Sequence, residues 1–314
     1  MKPSDLAHHY VVRFIHNETS AKNYIAIARI FEKSCNTHDI SEVTAESVIL
    51  WRRDVLSRLS VHSYNTYLRH LRILFLHAQK SGFIQNNPFE STRFVKRCLK
   101  SKAVSLGVIK SALALLDKGE VLDLETDRFW ALVIRFLLCT GIRRRQLVSL
   151  RWSHINFEQK TILLCQDGSK NGREWTIPMT DASHEILQSL LERTLKRKKI
   201  CDHDQVFRLP LFNSRVHTPT MEDHQVTDFF ILLHKKTGLR ISSHRLRHTL
   251  GTKLGTSETP DIAAIQELFG HSSLNSTRIY VNSNVGHIRN VLHRDGFEEA
   301  LTSPNRTTGF PKET

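Results

Sequence analysis

Between Ser63 and Ser81 the apolar residues Tyr64, Tyr67, Leu68, Leu71, Leu74, Phe75 and Ala78 recur at steps of three and four. That period belongs to an α-helix with one buried stripe and is incompatible with a strand, whose side chains alternate faces. A stripe of this length must be covered by other apolar faces, and the flanking sequence offers helices to do it. Asn23 to Lys33 has the same spacing, and Thr44 to Leu59 follows, with Thr44 placed to cap it and Glu46 in its first turn. Gly82 ends the long helix and Asn86-Asn87-Pro88 makes a turn. The polar face of the long helix carries Arg69, His70, Arg72 and His77, and fits bulk water and a polyanion equally well. Residues 1–97 are therefore expected to form a wholly helical domain.

Arg93, Lys96, Arg97, Lys100 and Lys102 then make the chain strongly basic, and a linker is expected at 98–104. Ser105 is placed to cap a helix reaching about Lys118. Thr126 to Cys139 is apolar enough to be a buried helix, and it stops at Thr140-Gly141. A short helix follows to Leu150, with Arg143 at the break. Then the period changes: Thr161 to Cys165 and Glu174 to Pro178 read as strands, and Asn171-Gly172 between them is a hairpin turn signal that projects Lys170 and Arg173 at its tip. Helices are expected again at Asp181–Lys199, Thr227–Thr237, His244–Gly255, Pro260–Phe269 and Val285–Leu301. The expected fold class is mainly α with a small antiparallel β-sheet (α+β), with a second domain over 105–302 and a disordered tail over 303–314.

Composition narrows the partner. Of 314 residues, 45 are Lys or Arg and 31 are Asp or Glu, giving a net charge of +14, which calls for a polyanion and for nucleic acid first. No apolar run is long enough to cross a bilayer and the N-terminus has no apolar signal core, so a cytoplasmic, nucleoid-associated protein without membrane contact is expected. The five cysteines, at 35, 98, 139, 165 and 201, are widely spread and form no C-x-x-C pair, so they read as reduced thiols. Cys201 and His203 have no second pair to complete a zinc site. No phosphate-cradling glycine loop of the Gly-x-x-x-x-Gly-Lys type occurs, so no nucleoside triphosphate is expected, and no carboxylate cluster is seen to hold a metal, so no metal or other cofactor is expected either.

One constellation carries chemistry. Ser242 or Ser243 can cap a helix on which His244 and Arg247 share a face, followed by His248. Gly270-His271 and then Tyr280 lie downstream, and Arg143 sits upstream at the start of a helix, where amide groups favour an anion. Histidines, arginines and a tyrosine gathered in one place suit the holding of a phosphate while a phenol oxygen attacks it.

Thr140-Gly141-Ile142-Arg143, Lys170 in a hairpin, His244-x-x-Arg247-His248 and Gly270-His271 followed by Tyr280 resemble the signature of the tyrosine recombinases, the phage integrase and Xer-like family. The resemblance covers about 105 to 285 as a catalytic domain, and residues 1–97, ending in Gly82-Phe83-Ile84-Gln85-Asn86-Asn87-Pro88, resemble that family's helical core-binding domain. One departure stands out: many members carry glutamate three residues after the first arginine, and here it is Gln146, with Arg144 and Arg145 as unusual neighbours.

The resemblance implies site-specific recombination by transesterification through a 3′-phosphotyrosyl link. Tyr280 would be the nucleophile, a phenol with ordinary pKa near 10 that needs deprotonation and cationic neighbours. Arg143 and Arg247 would hold the non-bridging oxygens with forked donors, and His271 would donate to the same phosphate. His244 would orient it or accept a proton, Lys170 would protonate the departing 5′ oxygen, and His248 would support them. Candidate DNA contacts are Arg69, Arg72, Lys96, Arg97, Arg173 and Arg245. The implied partners are double-stranded DNA, a homodimer on each site, a homotetramer in synapsis and accessory DNA-bending proteins, without separate arm-site binding. The rivals are a type IB-like topoisomerase and a catalytically silent DNA-binding protein of the same fold.

Overall fold

The computed structural model describes residues 1–96, 102–165, 174–257, 260–270 and 277. The expected sites at Arg97, Lys170, Arg173, His271 and Tyr280 lie outside the described residues, as do the hairpin turn at 166–173, the helix expected from Val285 and the tail. The chain divides into two compact units, Met1–Lys100 and Ser101–Thr314. Among the described residues no helix is long and apolar enough to cross a membrane.

Among the described residues the first unit has four α-helices: α1 (Pro3–Phe14), α2 (Glu18–Cys35), α3 (Ala45–Arg58) and α4 (Val61–Lys80). Thr44 caps α3 as expected, its hydroxyl accepting from Ser47 N, and Ser60 does the same for α4. The α4 stripe is buried against α1, α2 and α3, with Tyr64, Leu68, Leu71 and Phe75 all at 0% exposure. Rings close the core: Phe75 meets Phe89 at 4.9 Å and Phe31 at 5.9 Å. Asn65 pins the segment that leaves the unit, donating to Val95 O at 2.8 Å and accepting from Val95 N at 3.0 Å. Two features depart from expectation. Helix α1 was not singled out by its apolar spacing, because three of its twelve residues (Pro3, Leu6 and Ala7) supply all of its fully buried surface. His77 does not lie on the polar face of α4; it is buried, with Nε2 2.9 Å from Nδ1 of His9 and its ring 5.4 Å from each of those of Tyr10 and Phe14.

In the second unit α5 (Leu106–Lys118) packs on α6 (Leu124–Thr140), which also receives α8 (Asp181–Leu195) and α10 (Ser243–Gly255) and so runs through the middle of the core. Phe129, Val133, Phe136 and Leu137 of α6 are all at 0% exposure, and Trp130 stacks on Phe229 at 4.1 Å. After α7 (Arg144–Ser149) comes an antiparallel sheet of order β1-β2-β3: β1 (Ile155–Asn156), β2 (Thr161–Leu164) and β3 (Trp175–Pro178). Ile162 pairs with both Ile155 and Ile177, and Leu164 with Trp175. Helices α9 (Asp223–Thr237) and α11 (Ile262–Leu268) complete the unit. Helix α9 begins four residues before the apolar spacing starts, because its first turn, Asp223-His224-Gln225, is held by polar contacts: Glu222 N donates to Gln225 Oε1 at 2.8 Å. Helix α8 stops at Leu195, so the basic run from Lys196 to Lys199 lies beyond the helix.

Candidate active site

The site grows from the end of α6. Gly141 closes that helix with φ at +64° and its N–H on Leu137 O, a left-handed conformation that costs an L side chain about 1–2 kcal/mol. The turn is also packed tight: a Cβ at Gly141 would lie 2.9 Å from Leu250 Cδ2 on α10 and closer still to the Phe269 ring. This turn delivers Arg143, half-buried, as the residue capping α7. Arg143 N donates to Gln146 Oε1 at 2.7 Å, so the residue that stands in place of the glutamate keeps the main chain of Arg143 in register. Gln146 is 2% exposed, and its Nε2 has no partner among the described residues, a buried donor whose desolvation costs about 1–3 kcal/mol. Helix α7 has only six residues, so its dipole is small and an anion here would be held by the arginine side chain. Arg144 does not add to the basic surface: it forms a two-pronged ion pair with Asp223, its Nη2 at 2.7 Å from Oδ2, and donates to Thr227, joining α7 to α9. Arg145 is exposed.

The second wall is α10. Ser242 Oγ accepts from Arg245 N at 3.3 Å and starts the helix, placing His244 in its first turn, exposed, and Arg247 one turn on. Arg247 is only 4% exposed. Its Nη1 donates to Gly141 O at 2.7 Å, its Nη2 donates to Phe269 O at 2.8 Å, and the guanidinium lies 4.3 Å from the Phe269 ring centre. One side chain thus joins the turn leading to Arg143 to the segment leading to His271. Gly270 is itself pressed against the Trp175 indole of β3, where a Cβ would stand 2.7 Å from Cε2. On the far side of α10, Thr249 Oγ1 accepts from Val104 N at 2.8 Å and Arg245 Nε donates to Lys102 O at 3.1 Å, fixing the first described residues of this unit along the helix.

Electrostatics follow from that assembly. Although His244 is exposed by area, the protein packed around its imidazole first, and then the positive fields of Lys102, Arg247 and Arg143, hold it below its usual pKa. Burial, then His244, Lys102 and Arg247, pull His248 down to about 4. Both rings are therefore neutral at pH 7, in a setting whose fixed charges are positive. Among the described residues no group of three or more His, Cys, Asp or Glu could hold a metal ion. The arrangement suits a singly charged phosphodiester, with arginine forks for its oxygens and a neutral imidazole able to take a proton.

Of the sequence-predicted catalytic residues, Arg143, His244 and Arg247 are brought together, whereas Lys170, His271 and Tyr280 lie outside the described residues. Of the candidate DNA contacts, Arg69 and Lys96 are exposed, and Arg72 lies 5.6 Å over the Phe94 ring with Nη2 donating to Glu90 O at 3.4 Å. Arg245 is half-buried, with Nε on Lys102 O as described, while Arg97 and Arg173 fall outside the described residues. Sequence reasoning missed Lys102 and Thr249 as neighbours of the site. Val104 and Thr249 are 145 residues apart, and nothing periodic announces a contact at that separation.

The phage integrase family model matches residues 112–287. The chain is 30% identical over 306 residues to the putative tyrosine recombinase XerC of Pseudomonas aeruginosa, covering 93% of this chain and 71% of that protein. Among solved structures it is similar in fold to the Tn1549 transposon integrase in complex with a circular intermediate DNA, with a TM-score of 0.76 at 19% identity over 94% of this chain and 99% of the other. It is also similar to a lambda integrase tetramer bound to a Holliday junction, with a TM-score of 0.70 at 16% identity over 89% of this chain and 76% of that one.

Proposed function

The chain belongs to the phage integrase family, the tyrosine recombinases, and is a site-specific DNA recombinase that cuts and rejoins strands through a 3′-phosphotyrosine; from that premise we propose which of its residues carry the reaction. Tyr280 is the nucleophile. Arg143 and Arg247 hold the two non-bridging oxygens of the scissile phosphate and offset the charge that builds on them in the transition state. His271 donates to the same phosphate, His244 accepts the phenol proton and Lys170 gives a proton to the departing 5′ oxygen. The bond energy stays in the phosphotyrosine, so rejoining needs no nucleoside triphosphate, and the arginines supply the positive charge that a metal would otherwise bring.

The observation that carries this reading is Arg247: a buried guanidinium tied to Gly141 O and Phe269 O, in a cluster with Arg143 and His244. Main-chain carbonyls are neutral, so these two contacts orient the guanidinium without cancelling its charge. We assign the first unit to DNA binding through Arg69, Arg72 and Lys96, and extend the contact to Arg97, Arg173 and Arg245. Two protomers bind each site and four form the synapse, by analogy with the lambda integrase tetramer on a Holliday junction. The protein works on DNA in the cytoplasm, at the nucleoid, with DNA-bending proteins as further partners.

The test begins with sequencing of junctions formed in cells, which yields the DNA site. A nicked suicide duplex carrying that site is then expected to trap the full chain covalently, and Tyr280→Phe to bind the duplex equally well and form no adduct. An undiminished adduct in Tyr280→Phe removes that residue as nucleophile. Relaxation of supercoiled plasmid lacking the site would favour the topoisomerase rival, and binding without any adduct in the unaltered protein would favour the silent one.

A further inference from the structure

On α10, His244 and His248 are one helical turn apart, and their rings stand almost perpendicular, 88° between planes, with centres 4.5 Å apart. Their Nε2 atoms are 3.0 Å from each other. That separation holds a single proton: one nitrogen must donate and the other must present a lone pair. Among the described residues Nδ1 of His244 has no partner; the residue is exposed, and the charges of Lys102, Arg247 and Arg143 act on its ring.

We propose that His248 is a positioning residue that accepts a hydrogen bond from His244 Nε2 and thereby reserves the lone pair on His244 Nδ1 for proton transfer at the scissile phosphate. The inference rests on the reading of His244 as the group facing that phosphate. His244 is then the Nε2–H tautomer and His248 the Nδ1–H tautomer. The phenol O–H of Tyr280 transfers its proton to His244 Nδ1 as the new O–P bond forms and the P–O5′ bond breaks, the 5′ oxygen taking its proton from Lys170. The resulting imidazolium keeps both N–H groups, and the one on Nε2 still points at the His248 lone pair. Among the described residues the charges facing the pair are Lys102 from the segment before α5, Arg143 from the α6–α7 turn, and Arg247 from α10 itself. All are cations, so the surroundings oppose protonation of His248, which stays neutral down to a pKa of about 4 and remains an acceptor while His244 takes the proton.

The competing account is that His248 only fills space on the helix, and the experiment separates the two. In the full chain with ring-15N histidine, long-range 1H–15N correlation reads the tautomer of each imidazole directly and needs no DNA. The expected result is a single Nε2–H tautomer for His244 in the unaltered protein and in His248→Gln, whose amide oxygen can accept in the same place, and a mixture of tautomers in His248→Ala. An Nδ1–H tautomer for His244 in the unaltered protein, or the same single tautomer in His248→Ala, overturns the proposal. On the suicide duplex, His248→Ala is expected to bind equally well but form adduct about tenfold more slowly, part of the ~10²–10⁴-fold that a positioned base contributes, while His248→Gln stays within about threefold. Equal rates for His248→Ala and the unaltered protein also overturn it. If the unaltered protein forms no adduct at all, the proposed function fails, and the imidazole spectra still decide the pairing.

Discussion

Replacing Gly141 by alanine tests whether the turn between α6 and α7 is as constrained as its packing implies. Two costs add. The left-handed φ of +64° costs an L residue about 1–2 kcal/mol. The new methyl would also lie 2.9 Å from Leu250 Cδ2 and closer to the Phe269 ring, an overpacking of the kind that costs about 1–3 kcal/mol. The sum is roughly 2–5 kcal/mol, a large share of the ~5–15 kcal/mol that holds a domain folded. Gly238, which ends α9 with φ at +72° and has nothing within 4 Å of an added Cβ, supplies the control, because Gly238→Ala bears only the first cost. Urea denaturation followed by tryptophan fluorescence suits the measurement, since Trp130, Trp152 and Trp175 lie in the second unit and only Trp51 in the first. Gly141→Ala is expected to be less stable than Gly238→Ala by about 1–3 kcal/mol. It should also form less DNA adduct, because Gly141 O is one of the two carbonyls on which Arg247 is seated. Equal destabilisation by the two substitutions would show that the Phe269 ring yields freely and that the turn does not constrain Arg247.

Other consequences follow from single contacts. Arg144→Ala should lower stability by about 1 kcal/mol and leave DNA affinity unchanged, because Arg144 is engaged with Asp223, whereas Arg145→Ala should leave stability alone, weaken DNA binding and reduce its salt dependence by about one ion; urea titrations and binding isotherms at several salt concentrations check both. The His77 imidazole is held below its usual pKa by burial, then by His9 and Arg13, so the unfolded chain binds the proton first. Stability of the first unit should therefore be full above about pH 6.5 and decline as the pH falls below it, and His77→Phe, which keeps the ring but not the titration, should flatten that decline; parallel pH profiles of the denaturation midpoint would refute the assignment. Lys170→Ala should slow cleavage of an ordinary 5′ oxygen far more than cleavage of a 5′ sulfur, a leaving group that needs no proton, and equal slowing of both would exclude the acid role.

What could be read in advance was whatever repeats or caps locally. The α4 stripe, the caps at Thr44, Ser105 and Ser242, the break at Gly141 and the paired strands each leave a mark within a few residues of themselves. The α10 motif likewise placed His244 and Arg247 on one helix. What escaped was carried by pairs distant in the chain. His9 and His77 are 68 residues apart, and the histidine on α4 looked polar only because its partner on α1 was unseen. Arg144 read as surplus charge because Asp223, 79 residues on, leaves no local sign of the bond. The seat of Arg247 was hidden for a further reason: its acceptors are the main-chain oxygens of Gly141 and Phe269, and a carbonyl has no letter in a sequence.

That seat affects how the protein can lose its activity. Arg247 is part of the scaffold as well as of the proposed chemistry, so a lineage that abandons recombination yet keeps gripping DNA would be expected to retain it. Such descendants would be expected to shed Tyr280, the proposed nucleophile, first. For the same reason an inert version built for use at the bench should be edited at the phenol, leaving the guanidinium that ties the two loops together in place.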